Sequence, residues 1–224
     1  MVSELKRYMK QSEKEPYLGI VHRLDQPVEG IIVFAKTPKA AAELSKQAAP
    51  GNITKPEQIK ERRDKMMKKI YYAEVYGHLP ETSGELQNHL VRDPAANASY
   101  VLDIPDDRQR DPMECPEENR NHRRERENKK ESPKWSYLAY KVLERREETD
   151  LVEIRLFTGR HHQIRVQFSH AGYPLVGDAK YASGDSAEYN RKKNIRTVSL
   201  KAVRLEFTHP VSGKRMEFSI QSSC

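Results

Sequence analysis

The chain has 224 residues, 36% hydrophobic and 33% charged, which is long enough for one sizeable domain with a real core. Its 40 Lys and Arg against 33 Asp and Glu give a net charge of +7, which favours a nucleic-acid partner, although a generically basic cytosolic protein would show the same charge. Two isolated cysteines, Cys115 and Cys224, argue against a disulfide framework or a cysteine metal site, and no apolar run is long enough to span a bilayer. We therefore expect a cytoplasmic protein without membrane association.

The first third of the chain predicts two helices and a strand. A short helix is expected at residues 3–11, and the apolar run at residues 31–35 has the length of a central strand buried on both faces. Thr37 and Pro38 then suit a helix start, because Thr can cap and Pro fits the first helical position, so residues 39–47 are predicted helical.

The middle of the chain alternates between charged and apolar stretches. Residues 52–68 interleave Lys, Arg and Glu, which is typical of a connector or a solvated helix. Residues 69–77 predict a strand in which Tyr71, Ala73 and Val75 share one face. From about residue 103 to residue 133 almost no apolar side chain occurs, so we expect a mobile, charged insertion there.

The last third predicts strands at residues 135–143 and 151–157, a helix at about residues 161–170, and a hairpin formed by residues 203–207 and 216–220. In the helix, Ile164, Phe168 and Ala171 form one apolar stripe. Several strands with few helices between them predict a single α+β domain, with flanking helices on a mixed, largely antiparallel sheet.

Asp25 is the candidate reactive carboxylate. It stands between the basic pair His22 and Arg23 and a turn that runs from Pro27 to Gly30. A turn beside a strand both fixes and exposes a side chain, which suits a carboxylate that takes part in chemistry. Judged by its spacing alone, an Asp that accepts hydrogen bonds from nearby backbone amides is the commoner interpretation.

Two further motifs follow Asp25 along the chain. Residues 69–77 read Lys-x-Tyr-x-Ala-x-Val-x-Gly, and residues 158–165 read Thr-Gly-Arg-His-His-Gln-Ile-Arg. Taken alone, Tyr71 would be a cross-strand packing aromatic and Arg165 a surface cation with a packed stem. His161 and His162 do not predict zinc, because neighbouring helical side chains point about 100° apart and no further ligand stands at suitable spacing.

These three motifs, in this order, resemble the signature of the RluA-type pseudouridine synthases. Asp-Ala-Lys-Tyr at residues 178–181 adds weaker support. The resemblance implies the pseudouridine synthase fold and three catalytic residues. Asp25 would act at the sugar or the base, as nucleophile or as general base. Tyr71 would stack on a flipped uracil and exchange protons through its hydroxyl, and Arg165 would pair with Asp25 and keep it charged.

The resemblance also implies how the substrate is held and what else is needed. His22 and Arg23 would contact phosphate or hold the turn, and Arg160 and His161 are expected to bind RNA. The reaction would isomerise a specific uridine of ribosomal or transfer RNA, with no cofactor and no metal. We expect a monomer.

Two departures leave an alternative open. Pro27, Val28 and Glu29 stand where many members carry Thr or Ser before the glycine, and the usual opening strand with its Lys-Pro-x-Gly turn is not found. A catalytically impaired RNA-binding relic of the same family is therefore the alternative function. A hydrolase is disfavoured, because the sequence offers no second convergent carboxylate, metal cluster or paired nucleophile.

Overall fold

The computed structural model of the protein describes residues 2–10, 17–49, 56–102, 132–182 and 184–220. The insertion predicted at residues 103–133 lies almost entirely outside these ranges. The helices are α1 (Val2–Met9), α2 (Pro38–Ala48), α3 (Pro56–Arg62), α4 (Gln163–His170) and α5 (Gly184–Lys192). The strands are β1 (Gly19–Ile20), β2 (Glu29–Gly30), β3 (Phe34–Ala35), β4 (Lys68–Tyr76), β5 (Ser83–Asp93), β6 (Ala98–Leu102), β7 (Lys134–Arg145), β8 (Thr149–Leu156), β9 (Leu200–Thr208) and β10 (Arg215–Ser219).

The main sheet runs in the order β10-β9-β4-β8-β7-β5-β6, and all these neighbours are antiparallel. The short strand β2 lies parallel to β9, and β1 pairs with β3 in a separate two-stranded sheet. The predicted α+β class with a mixed, largely antiparallel sheet is therefore confirmed. In the described part of the chain no helix is long and apolar enough to cross a membrane.

The alternation of β4 builds the main core. Tyr71, Ala73 and Val75 are buried on one face of the sheet, as predicted, and they share a cluster with Ile164 and Phe168 of α4. The apolar stripe of α4 thus rests on the strand that carries the candidate tyrosine. A second cluster forms where α2 covers β9, with Leu44 and Leu205 at its centre. Burial of these side chains is the main favourable contribution to the fold.

The predicted start of α2 is confirmed. The Thr37 side chain accepts a hydrogen bond from the Ala40 amide at 3.2 Å, and Pro38 is the first helical residue. The charged stretch at residues 52–68 includes α3 and a 3-10 turn at Arg63–Lys65. The patterns did not predict β5, β6 or α5. In β5 and α5 polar side chains are spread along the element and obscure the periodicity.

The prediction of a central strand at residues 31–35 is wrong. Only Phe34 and Ala35 are in a strand, at the small β1–β3 sheet, and of this run Ala35 alone is fully buried. After Gly30 the chain leaves β9, and its apolar side chains pack against the α2 cluster instead, with Ile31 and Val33 at its margin. An apolar run of strand length cannot by itself distinguish a strand from a segment that packs against a helix.

We predict that Phe168→Ala destabilises the protein by about 3–5 kcal/mol, because a fully buried ring is replaced by a cavity that the sheet and α4 cannot fill. Urea unfolding followed by circular dichroism measures the change. Tyr8→Ala is the matched control, since the Tyr8 ring is 73% exposed, and its effect should stay within about 0.5 kcal/mol. Equal losses in the two variants would contradict this account of the core.

Candidate active site

A cavity of about 420 Å³ opens at the edge of the α2 and β4 packing. Its walls come from the loop at residues 21–25, the end of α2, β4, and the loop at residues 159–161. Asp25 is the only acidic residue among the described residues that line it. The basic lining residues are His22, Arg23, Lys69, Arg92, Arg160 and His161. A cavity of this volume, lined by apolar side chains together with these basic groups, suits a small organic group with a neighbouring negative charge.

The backbone that follows Asp25 is fixed at two points. The Val28 amide donates to the Asp25 carbonyl oxygen at 2.7 Å and closes a turn. Two residues later, Gly30 adopts φ +129° and lies so close to β9 that a Cβ there would be 2.2 Å from the Ala202 carbonyl oxygen. Only glycine permits this approach. The loop is thereby tied to the sheet, and Asp25 lines the cavity together with Tyr71 of β4.

The Asp25 carboxylate is partly buried, and no described residue donates a hydrogen bond to it. Burial raises its pKa above the usual value of 3.8, the positive charge of Arg165 opposes that shift, and the negative charge of Asp178 adds to it. A carboxylate with open lone pairs, facing a cavity, is free to act on a bound molecule.

Tyr71, on β4, lines the same cavity as Asp25. Its side chain is 6% exposed, and burial together with the negative charge of Asp25 raises the pKa of its hydroxyl. The phenol therefore stays protonated at neutral pH. Its ring can stack on a base, and its hydroxyl, which has no described hydrogen-bond partner, can donate.

Arg165 does not form the predicted direct ion pair with Asp25. Its guanidinium binds Asp178 through two hydrogen bonds, from Nε to Oδ2 at 2.7 Å and from the second terminal nitrogen to Oδ1 at 2.8 Å. Both side chains are buried, and the Arg165 side chain is close enough to Asp25 to oppose the rise in its pKa. Asp178 thus forms the two-pronged contact with the guanidinium. Asp25 makes no such contact, and Arg165 affects it only through its positive charge.

A hydrogen-bond network holds this ion pair in place. The backbone amides of Lys180 and Tyr181 donate to Asp178 at 2.9 and 3.2 Å, and the Arg165 guanidinium lies 5.1 Å from the centre of the Tyr181 ring. The Tyr181 hydroxyl accepts the Ser99 amide at 2.9 Å and lies 2.7 Å from His162 Nδ1. Burial lowers the pKa of His162 to about 3, so this ring is neutral, and in one of its two tautomers Nδ1 can accept a hydrogen bond from the tyrosine hydroxyl.

The two histidines differ from the sequence expectation. Helix α4 begins only at Gln163, because His162 has the left-handed φ of +52°. The rings of His161 and His162 are stacked at 3.8 Å between centroids instead of diverging, and their Nδ1 atoms face Ser99 and Tyr181. Among the residues that the structure describes, no group of three or more His, Cys, Asp and Glu side chains could hold a metal ion.

The predicted RNA-contacting residues fall into two groups. His22 Nε2 accepts the Val33 amide at 3.3 Å, and burial, aided by the charge of Lys69, lowers its pKa to about 4. A neutral imidazole that accepts a backbone bond holds the turn, which favours that predicted role over a phosphate contact. Arg23 is exposed at the cavity, and Arg160 and His161 line it from the other side.

Gln163 explains why the loop at residues 158–160 is well defined. Its side-chain oxygen accepts from the Thr158 hydroxyl at 2.9 Å and from the Arg160 amide at 3.0 Å, while its nitrogen donates to the Tyr137 carbonyl oxygen at 3.2 Å. Sequence reasoning gave roles to neither Gln163 nor Lys69, although both belong to the quoted motifs. Their position inside those motifs was the one feature of the sequence that could have identified them as candidate site residues.

Comparisons with known proteins match the chain to one family of RNA-modifying enzymes. The model of the RNA pseudouridylate synthase family matches residues 1–170. Dual-specificity RNA pseudouridine synthase RluA of Vibrio vulnificus is 29% identical over 92% of this chain and 66% of its own length. Ribosomal large subunit pseudouridine synthase D of Zymomonas mobilis is 30% identical over 91% of this chain and 52% of its own length. The chain thus spans between about half and two thirds of these relatives.

Solved structures agree in fold. Human RNA Pseudouridylate Synthase Domain Containing 1 superposes with a TM-score of 0.61 at 22% identity, covering 97% of this chain and 74% of that one. Human RNA Pseudouridylate Synthase Domain Containing 4 gives a TM-score of 0.64 at 19% identity, covering 98% and 78%. At these sequence identities, the structural similarity shows a shared fold and nothing further.

We predict that Asp178→Asn lowers the pKa of Asp25, because it removes a nearby negative charge and leaves Arg165 without its carboxylate. It should also cost about 3–5 kcal/mol of stability, since one partner of a buried ion pair is lost. Carboxyl titration by carbon-13 NMR and urea unfolding measure the two effects. Asp185→Asn, at an exposed position of α5, is the control. An unchanged or raised Asp25 pKa would contradict the arrangement of charges described here.

Proposed function

The chain belongs to the RNA pseudouridylate synthase family, and we propose that it isomerises a uridine of ribosomal or transfer RNA to pseudouridine. The observation that carries the proposal is the Asp25 carboxylate, free of described hydrogen bonds, beside the Tyr71 ring in a cavity whose other charged lining residues are all basic. The name of one relative refers to the large ribosomal subunit, which supports ribosomal RNA as a substrate, and the name of another refers to a dual-specificity RNA pseudouridine synthase, which supports more than one kind of substrate.

The proposed reaction detaches uracil from its ribose, rotates the base and rejoins it through carbon. The composition of the nucleotide does not change, so the groups required are those that bind the base and act at the sugar. A stacked uridine must first be flipped out of the RNA, at a cost of a few kcal/mol. Stacking on Tyr71 and contacts between phosphates and the basic lining offset that cost.

Each proposed catalytic residue has a distinct part. Asp25, when ionised, acts at the sugar or the base as nucleophile or general base. Tyr71 stacks on the flipped base and donates a hydrogen bond, because its hydroxyl keeps its proton. Arg165, fixed by Asp178, supplies a positive charge that favours the ionised form of Asp25 without occupying its oxygens. An Asp25 with free oxygens is more useful for chemistry than one held in an ion pair.

The decisive variant is Asp25→Asn, which keeps the size of the side chain and removes its charge. Pseudouridine formation should fall by at least about 10²-fold, as expected when a catalytic carboxylate is lost, while RNA affinity holds or rises slightly. Glu29→Gln is the matched control, because Glu29 is an exposed carboxylate four residues away that does not line the cavity, and it should retain turnover. The measurement is pseudouridine mapping in transcripts of ribosomal and transfer RNA. Wild-type turnover by Asp25→Asn would overturn the site.

The pH dependence offers a second test. Because burial raises the pKa of Asp25 above its usual 3.8, turnover should decline on acidification through a midpoint above that value, as the carboxylate takes up a proton. Single-turnover rates between pH 4 and pH 7 measure the midpoint. Rates that stay constant down to pH 4 would show that ionised Asp25 is not required.

A further inference from the structure

Lys69 is the buried cation of the cavity, and no described residue gives it a counter-charge. Its side chain is 5% exposed and lies on the same face of β4 as Tyr71. The ammonium donates to the carbonyl oxygen of Ala48, at the end of α2, over 3.1 Å. This is its only described partner, although an ammonium carries three protons. No described carboxylate forms a salt bridge with it.

Such a position costs free energy unless something else balances the charge. A buried ammonium is normally paired with a carboxylate or neutralised, because its removal from water is unfavourable. Here the one charge that shifts the pKa of Lys69 belongs to another cation, Arg160, and it lowers that pKa further. The Arg160 Nε donates to the Trp135 carbonyl oxygen at 3.0 Å, and its terminal nitrogens have no described partner.

Space for an anion exists beside the ammonium. Gly159 directly precedes Arg160 in the chain, and a Cβ on it would meet only the Lys69 ammonium nitrogen, in ordinary contact at 3.6 Å. The glycine therefore places no side chain against the ammonium, and the space for an anion is that of the cavity, about 420 Å³. Lys69, Gly159 and Arg160 all line the same cavity as Asp25 and Tyr71. A point charge and a planar fork of donors at one place are the usual means of binding a phosphate group.

We propose that Lys69 and Arg160 form a subsite for one backbone phosphate of the RNA strand, next to the nucleotide that enters the cavity. The inference rests on the proposed RNA substrate and deepens it, because it assigns the strand a fixed point inside the cavity. The phosphate supplies the negative charge that the buried ammonium lacks. It thereby fixes the distance between the strand and Asp25, so that Lys69 is a positioning residue.

The titration of Lys69 is consistent with this role. Burial, with a further contribution from the charge of Arg160, lowers its pKa to about 8, so the free protein holds it mostly charged at pH 7 and mostly neutral at pH 9. Four other titratable groups line the same cavity: His22, neutral with a pKa of about 4, Tyr71, which stays protonated, the carboxylate of Asp25 and the guanidinium of Arg160. The remaining charged or titratable side chains of the cavity lining are Arg23, Arg92 and His161.

The first test compares Lys69→Met with Lys201→Met. Lys201 pairs with Tyr72 on the other face of the sheet, so its loss removes the same charge away from the cavity. The probe is a short uridine-containing single-stranded RNA, with the dissociation constant measured at several salt concentrations. Lys69→Met should weaken binding by about tenfold or more and reduce the log–log salt slope by about 0.7, the value for one single-strand phosphate. Lys201→Met should change the salt slope by less than half as much.

Stability separates a binding role from a structural one. Replacing a buried, unpaired ammonium with a methionine of similar length removes an unfavourable burial, so the melting temperature of Lys69→Met should hold or rise while RNA affinity falls. Gly159→Ala adds a methyl group beside the ammonium and should also weaken binding with folding retained. A fall in melting temperature together with unchanged affinity and salt slope would overturn the subsite.

The second test uses pH. If the phosphate binds only the charged ammonium, the dissociation constant of the wild type should rise about tenfold between pH 7 and pH 9, in proportion to the loss of the charged form. Lys69→Arg should keep the affinity constant over this range with the same RNA. Equal pH dependence in both proteins would contradict the proposal.

These outcomes are independent of turnover. Both tests are run in the Asp25→Asn background as well, where no product forms. If pseudouridine is never made but Lys69 still controls the salt slope, the subsite stands and the proposed activity fails. If turnover is normal and Lys69 has no effect on the slope, the activity stands and the subsite fails.

Discussion

The close approach of Gly30 to Ala202 is the constraint on which the position of Asp25 depends. No side chain other than hydrogen fits there, and the contact anchors β2 to β9 directly after the turn that carries the carboxylate. Strand β9 is also the neighbour of β4, which carries Tyr71. The loop and the aromatic ring are therefore fixed to adjacent strands of one sheet, and their separation does not depend on long side chains. Rigid placement of this kind is what a reactive group requires.

The pKa values of two carboxylates near Arg165 shift in opposite directions. Asp178 is buried and takes both prongs of the guanidinium as well as two backbone amides, so its pKa is lowered although burial alone would raise it. Asp25 receives only the distant charge, and its pKa is raised. Arg165 and Asp178 thus form the ion pair, and the Asp25 carboxylate remains open to the cavity. Asp178 takes the two-pronged contact from Nε and one terminal nitrogen of Arg165, and no described hydrogen bond joins Arg165 to Asp25.

The sequence alone was sufficient to predict the helices and strands that have strong apolar periodicity, and to identify the candidate site residues that lie in motifs. Strand β4 and helix α4 have clear apolar periodicity. Asp25 and Tyr71 line one cavity although they stand 46 positions apart in the chain. What escaped prediction depends on tertiary contacts. The partner of Arg165 lies 13 residues along the chain, across a loop with no local pattern. The left-handed conformation of His162 delays the helix by two residues and stacks two rings that a regular helix would separate.

A crystal structure of the Asp25→Asn variant bound to a uridine-containing RNA tests the account most directly, because it shows where the nucleotide goes without turnover. We expect a uracil flipped out of the RNA and stacked on the Tyr71 ring, with its ribose beside residue 25. An RNA bound elsewhere on the protein, with its uridines stacked and the cavity empty, would contradict it.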